Sequence, residues 1–136
     1  MVMLVSADEG KADASDSGAR GRYARSMRLL RHADFERVYQ RGRRHFSAHM
    51  TVFYLRRQDE KSARVGYTVS RALGGAVDRN RMKRRLREAV RLSWSGMSGP
   101  FDIVINPKKS LLQADFRDVK KEVGRAWEVV QGAKNQ

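Results

Sequence analysis

The feature that most constrains this chain is a strongly basic segment at residues 79–91, which reads RNRMKRRLREAVR. At about 100° per residue, as in an α-helix, its apolar residues fall on one side and its cations on the other. The apolar side comprises Met82, Leu86, Ala89 and Val90, and the opposite side comprises Asn80, Lys83, Arg84, Arg87 and Arg91. We therefore predict an amphipathic helix that packs on a core and presents a strip of cations.

This cationic strip has two possible roles, a solvated surface stabilised by salt bridges or a binding surface for a polyanion. Only Asp78 and Glu88 are available nearby in the sequence, and exposed ion pairs contribute little stability. Arginine, by contrast, binds phosphate through two parallel hydrogen bonds. The strip therefore favours a phosphate-bearing ligand.

The charge of the whole chain supports this interpretation. The 136 residues contain 29 Lys and Arg against 15 Asp and Glu, a formal net charge of +14. Residues 1–19 have a net charge of −3, so residues 20–136 have a net charge of +17. Such an excess in one small domain is typical of proteins that bind nucleic acid. Adhesion to anionic lipid is the other use of such a surface.

Several classes of protein are excluded by composition. Without cysteine, the chain has no disulfide scaffold, no thiolate nucleophile and no zinc site built on cysteine. Three histidines leave little material for metal-dependent hydrolysis or a Ser-His-Asp triad. No apolar run approaches the roughly 20 residues that span a bilayer, and the amino terminus lacks the basic start of a secretory signal. We expect a cytoplasmic protein.

The chain divides into a tail and one domain. Residues 1–24 are rich in Ser, Gly, Ala and Asp and have no apolar period, so we expect a disordered tail. Residues 25–133 are expected to form a single domain. Its patterns predict a helix at 32–42, strands at 46–56 and 63–70, a helix at 76–94, a strand at 101–106, and a helix that Asp115 caps. This order predicts an α+β or α/β architecture with helices packed on a mixed sheet.

Aromatic residues beside the basic helix indicate which nucleic acid is bound. In the first strand, Met50, Val52 and Tyr54 point to one side, while His49, Thr51, Phe53 and Leu55 point to the other. Phe53 and the helical pair Phe35 and Tyr39 suit unpaired bases, which stack on aromatic rings, whereas a duplex keeps its bases stacked on one another. The aromatic residues therefore favour a protein that binds RNA over one whose helix reads duplex DNA. The helical spacing of Phe35 and Tyr39 fits core packing equally well.

Several motifs together resemble the signature of the bacterial ribonuclease P protein family. The motifs are Gly66-Tyr-Thr-Val-Ser-Arg71, Leu73-Gly74, Ala76-Val-Asp-Arg-Asn-Arg-Met-Lys-Arg-Arg-Leu-Arg-Glu88, Asp34-Phe35, Val38-Tyr39, Gly42 and Asp102-Ile-Val-Ile105. The resemblance covers about residues 26–130. It implies an α+β fold, a small α/β sandwich similar to the second domain of ribosomal protein S5, with the order αβββαβα. It also implies a left-handed β-α-β crossover around the basic helix, an exception to the usual right-handed rule.

The resemblance further implies a function and a set of site residues. In this family an RNA subunit is the catalyst, and the protein assists it in removing the 5′ leader of precursor tRNA. The residues that would face the catalytic RNA are Arg79, Asn80, Arg81, Lys83, Arg84, Arg87 and Arg91. The residues that would bind the leader are Phe35, Tyr39 and Phe53, with Ser70 and Arg71 at the edge. The family usually has two basic residues after that serine, whereas this chain has Ala72 in the second position.

The expected chemistry is that of an endoribonuclease subunit whose protein part is inactive alone. Glu88 lies in the basic helix and Asp102 enters a strand, so no carboxylate cluster suggests a metal pair built by protein. We therefore expect no catalytic residue, and Mg²⁺ held mainly by the RNA. The expected partners are the catalytic RNA and precursor tRNA, with neither DNA nor a membrane. The alternatives are another non-catalytic RNA-binding protein, such as a ribosomal protein, and, more weakly, a basic helix on a membrane surface.

Overall fold

The computed structural model describes residues 2–6, 31–59 and 61–132, the first range by its backbone alone. The strands are β1 (Val2–Ser6), β2 (Arg43–Phe46), β3 (Met50–Arg56), β4 (Arg64–Ser70) and β5 (Phe101–Pro107). The helices are α1 (His32–Arg41), α2 (Ala76–Ser93) and α3 (Phe116–Gly132), with short 3₁₀ turns at Arg71–Leu73, Trp94–Gly96 and Lys109–Gln113. From α1 onward, the order αβββαβα is confirmed.

All five strands belong to one mixed sheet, in the order β1-β4-β5-β3-β2. Strands β4 and β5 are parallel neighbours, and α2 connects them, so β4, α2 and β5 form the β-α-β crossover. The other neighbouring strands are antiparallel. The mixed sheet and the α+β class are thereby confirmed.

One face of the sheet forms the main core against α2 and α3. Met50, Val52 and Tyr54 of β3 lie on this face, as the alternation in the sequence predicts. The apolar side of α2 and the apolar stripe of α3 cover it, through Met82, Leu86, Ala89, Val90, Val119, Val123, Ala126, Trp127 and Val130. Asp115 caps α3 by accepting a hydrogen bond from the backbone N–H of Arg117 at 2.9 Å.

The opposite face of the sheet packs against α1 and has a much smaller apolar cluster. Phe35 and Val38 of α1 contact Val104 of β5, and Tyr39, Phe53 and Leu55 are half-buried around them. The end of α1 lies close to the sheet at Gly42, where a Cβ atom would be 2.5 Å from the carbonyl oxygens of Val38 and Tyr54. A glycine is therefore required at this junction.

Two segments differ from the sequence-based expectations. The single strand expected at 46–56 is instead the end of β2, a turn, and β3, because Ser47 turns the chain by donating its backbone N–H to the Met50 carbonyl at 3.0 Å. Its hydroxyl donates either to the same carbonyl or to Glu122 Oε1. This turn contains neither Gly nor Pro, the residues that usually mark one. Strand β1 falls within the expected disordered tail and corrects that expectation for Val2–Ser6, which pair with β4. Residue 1 and residues 7–24 of the expected tail lie outside the described residues.

Candidate nucleic-acid interface

The basic helix begins directly after a tight change of chain direction. The hydroxyl of Ser70 accepts a hydrogen bond from the backbone N–H of Ala72 at 3.1 Å and caps the 3₁₀ turn. Gly74 follows with φ 148°, a conformation that residues with a side chain rarely adopt. Ser70 itself is half-buried at the end of β4, and Arg71, the next residue, is exposed. These local constraints start α2 shortly after Ser70 and Arg71, the two residues that the resemblance puts at the edge of the leader site.

The seven residues that the resemblance assigns to the catalytic RNA, which we call the basic face of α2, are all at least partly exposed, although Arg79 projects about 60° from Met82, beside the apolar side. Asn80, Arg81 and Arg84 are exposed, and the remaining four members are partly exposed. Arg79 donates from Nε to the Gly74 carbonyl at 3.1 Å, and Arg91 forms an ion pair with Glu88. These two arginines are therefore held to the protein at the two ends of the strip.

Arg85 belongs to the same basic segment but has a different role. Its guanidinium group donates to the carbonyl oxygens of Leu111 at 3.1 Å, Leu112 at 3.0 Å and Ala114 at 2.5 Å. These bonds fasten α2 to the segment that leads into α3. Counting cations in the sequence does not find this role. The helical projection does contain a signal, since Arg85 falls only about 60° from Met82, beside the apolar side.

Tyr39 and Phe53 are held together between α1 and the sheet, and we call them the aromatic site. Their ring centroids are 4.8 Å apart at 86°, an edge-to-face contact. The Tyr39 hydroxyl donates to Thr68 Oγ1 at 2.5 Å or Asn106 Oδ1 at 3.1 Å. Burial raises the pKa of this phenol, and the hydrogen bonds with Thr68 and Asn106 oppose the shift. The Tyr39 ring is thus fixed and neutral at ordinary pH.

The expected contact of Phe35 with the leader is corrected by the structure, because this side chain is not at the surface. Its side chain is 2% exposed and packs against Val38 and Val104, so its ring has no accessible face on which a base could stack. The i, i+3, i+4 spacing places Phe35 and Tyr39 on the same side of α1, but it does not show which of them reaches solvent. Phe35 therefore supports the aromatic site from inside the fold and is removed from the expected leader contacts.

A network of ion pairs fastens the loop after β3 and the start of α1 to the same face of the sheet. Asp102 is fully buried and accepts from Arg57 Nη1 at 2.7 Å and from Arg64 Nε and Nη2 at 2.9 Å. Arg64 Nη2 also lies 3.5 Å from Asp34 Oδ1 on α1. The hydrogen bond with Asp102 raises the pKa of the Arg64 guanidinium, and burial opposes it. The role of Asp102 is thus to neutralise two arginines.

The expected absence of a protein-bound metal and of a membrane partner stays a prediction. Over residues 31–59 and 61–132, no three His, Cys, Asp or Glu side chains lie close enough together to hold a metal ion. In the part of the chain with a described structure, no helix is both long and apolar enough to cross a membrane. The cytoplasmic location stays a prediction.

The fold and this surface define a class of protein, a small basic α+β domain with cations along one helix and fixed aromatic rings beside its sheet. The Ribonuclease P family profile matches residues 23–131. The ribonuclease P protein component of Oleidesulfovibrio alaskensis is 47% identical over 89 residues, which cover 65% of this chain and 71% of the relative. That of Symbiobacterium thermophilum is 36% identical over 104 residues, covering 76% of this chain and 90% of the relative.

Solved structures agree with the sequence comparison. The RNase P protein from Thermotoga maritima has a TM-score of 0.66 at 27% identity and covers 74% of this chain and 96% of its own. The RNase P protein from Staphylococcus aureus, at 24% identity and a TM-score of 0.63, shows the same fold over 78% of this chain and 93% of its own. The chain therefore belongs to the ribonuclease P protein family. It is a protein subunit of that endoribonuclease and acts in tRNA 5′ processing.

Proposed function

We propose that this subunit binds two parts of one RNA assembly through two separate surfaces. The basic face of α2 binds phosphates of the catalytic RNA, and the aromatic site binds the single-stranded 5′ leader of precursor tRNA. The observation that carries this proposal is the separation of the two surfaces. The cations line the outer side of a helix on one face of the sheet, while Tyr39 and Phe53 lie on the opposite face.

The charges on α2 support the first contact. Within the described residues, no carboxylate forms an ion pair with Arg81, Arg84 or Arg87. Rigid, closely spaced cations repel one another until phosphates neutralise them, and binding then releases counterions from the RNA. Arginine is suited to this role because its planar guanidinium group binds phosphate in a bidentate manner.

The arrangement of the aromatic site supports the second contact. Unpaired bases stack on aromatic side chains, and this stacking tolerates different base sequences, as a leader site requires. Phe53 is half-buried, so part of its ring faces outward beside the fixed ring of Tyr39. Arg71 is exposed at the end of β4, where a cation can contact the leader backbone. Ala72 supplies no second cation there.

Within residues 31–59 and 61–132, the central carboxylates do not fit a magnesium site, because arginines already occupy them. Asp102 accepts from two arginines, and Asp34 accepts from Arg37 at 3.0 Å. We therefore assign no step of hydrolysis to a protein-bound metal. Magnesium is held mainly by the RNA subunit, and the protein's cations reduce the phosphate repulsion that magnesium must otherwise screen.

The test is cleavage of precursor tRNA by the RNA subunit with and without this protein, across a magnesium series. We expect the protein to shift the midpoint of the magnesium dependence to a lower concentration, and the protein alone to be inactive. Metal-dependent cleavage by rigorously RNA-free protein would overturn the assignment of catalysis to the RNA subunit. An unchanged magnesium midpoint would contradict the proposed role of the basic face.

A further inference from the structure

Strand β2 exposes a large aromatic side chain beside the aromatic site. Phe46 is 64% exposed, and it is the one aromatic residue among the large exposed hydrophobic residues of the described chain. A single exposed apolar residue is common in proteins and needs no explanation by itself. The neighbours of Phe46, rather than its exposure, point to a function.

The strand register places Phe46 on the same face of the sheet as the aromatic site. Arg44 pairs with Phe53, and Phe46 pairs with Thr51, across the antiparallel β2–β3 ladder. Directly paired residues share a face, and successive residues alternate, so Arg44, Phe46, Thr51 and Phe53 all point to the side on which α1 lies. Phe46 is therefore the outermost ring on that face.

The guanidinium group of Arg44 lies within reach of both phenylalanine rings. Its Cζ atom is 5.8 Å from the centroid of Phe46 and 5.8 Å from that of Phe53, within the range of a cation–π contact. Phe53 in turn contacts Tyr39 at 4.8 Å. The side chains therefore form a continuous row of flat groups, in the order Tyr39, Phe53, Arg44 and Phe46, from α1 to the edge of the sheet.

We propose that Arg44 and Phe46 form a second stacking site, the edge site, which binds a base of the single-stranded leader farther along the strand than the base at Phe53. The proposal rests on the proposed function of the aromatic site and extends it to β2. A nucleobase stacks on a phenyl ring or a guanidinium plane, and the guanidinium group can also contact the adjacent phosphate. On this face of β2, Arg44 supplies a cation and no residue is acidic, which matches a polyanion.

A second copy of this chain is the competing occupant, because β2 is an outer strand among the strands described. An exposed outer strand can pair with another strand, whereas charged side chains along it oppose such pairing. The two adjacent arginines of β2 would bring like charges together in a symmetric pair. This argument favours the RNA strand, and the oligomeric state is therefore part of the test.

The experiment measures the affinity of the reconstituted holoenzyme for precursor tRNAs whose leaders increase in length one nucleotide at a time. For Phe46→Ala we expect wild-type affinity with the shortest leaders and a roughly five- to tenfold loss once the leader reaches β2. Phe46→Trp, which keeps a stacking ring, should retain the affinity. Leu92→Ala truncates a half-exposed apolar residue on α2 and should show no dependence on leader length. Melting temperatures should be unchanged, since Phe46 lies outside the core.

Phe53→Ala, measured in parallel, separates this proposal from the one on which it rests. If Phe53→Ala weakens leader binding while Phe46→Ala has no effect at any length, the edge site is overturned and the aromatic site stands. If neither substitution has an effect, the proposed leader site fails as well. If RNA-free wild-type protein is a dimer in sedimentation and Phe46→Ala is a monomer, Phe46 is a contact between copies and the edge site is overturned.

Discussion

The two faces of the sheet are built in different ways. Against α2 and α3, strands β3, β4 and β5 bury a continuous apolar core that includes Tyr67, Phe101 and Trp127. Against α1, the fully buried apolar cluster is limited to Phe35, Val38 and Val104, and the hydrogen bonds of Tyr39 and the Arg64–Asp34 ion pair add to it. The comparison shows that one face supplies most of the buried apolar core, while the other holds the half-buried rings of Tyr39 and Phe53 with fewer apolar contacts.

The largest effect on stability is expected at Asp102, the buried carboxylate of the ion-pair network on the α1 face. Asp102→Asn removes the carboxylate that neutralises Arg57 and Arg64 and leaves two partly buried guanidinium groups without it. Breaking a buried ion pair costs about 3–5 kcal/mol, so the free energy of unfolding should fall by that amount in urea denaturation. Asp59→Asn is the matched control, because Asp59 is exposed and also pairs with Arg57. Similar small losses for both variants would show that the α1 face does not depend on this network.

Arg84 and Arg87 test the electrostatic surface on the other side of the molecule. Replacing either with Ala should weaken binding to the catalytic RNA by roughly 1.5–3 kcal/mol, the usual value of a hydrogen bond to a charged group. Each substitution should also reduce the slope of log affinity against log salt by roughly 0.7–0.9. Lys120→Ala removes a charge from the exposed side of α3 and should leave the slope nearly unchanged. If both arginine variants keep the wild-type affinity and slope, the basic face does not bind the RNA and is a solvated surface instead.

Tyr39 provides a smaller test that depends on pH. Tyr39→Phe removes the hydrogen bonds to Thr68 and Asn106 and should cost about 0.5–1.5 kcal/mol of unfolding free energy at neutral pH. Burial raises the pKa of the phenol above its ordinary value near 10, so the unfolded chain ionises first as the pH rises. The contribution of the hydroxyl is therefore complete below about pH 10 and declines above it. Denaturation of the wild-type protein and of Tyr39→Phe between pH 7 and 11 should show the difference in their unfolding free energies becoming smaller as the pH rises. A difference that stays constant would contradict the proposed contribution of the Tyr39 hydroxyl.

The features that the sequence predicted correctly depend on local periodicity. Met82 and Leu86 identify the inner side of α2, and the alternation along β3 separates its core residues from Phe53, because a helix and a strand each fix where successive side chains point. The missed features depend on distant partners. Asp102 meets Arg57 and Arg64, which precede it by 45 and 38 residues, and no local pattern contains that pairing. The helical projection places Arg85 beside the apolar side of α2, but no local pattern predicts its distant acceptors Leu111, Leu112 and Ala114.

The central claim is that the two surfaces bind different parts of the RNA, and the ratio of affinities for precursor and mature tRNA in the holoenzyme tests it most directly. Phe53→Ala should weaken precursor binding by about 1–3 kcal/mol, with mature tRNA nearly unaffected, so the ratio falls. Arg84→Ala and Arg87→Ala should weaken holoenzyme assembly and, once the holoenzyme is saturated with protein, leave the ratio unchanged. The melting temperature of Phe53→Ala separates a binding role from a core role. Equal losses for both tRNAs in Phe53→Ala, or a ratio that falls in the arginine variants, would contradict the claim.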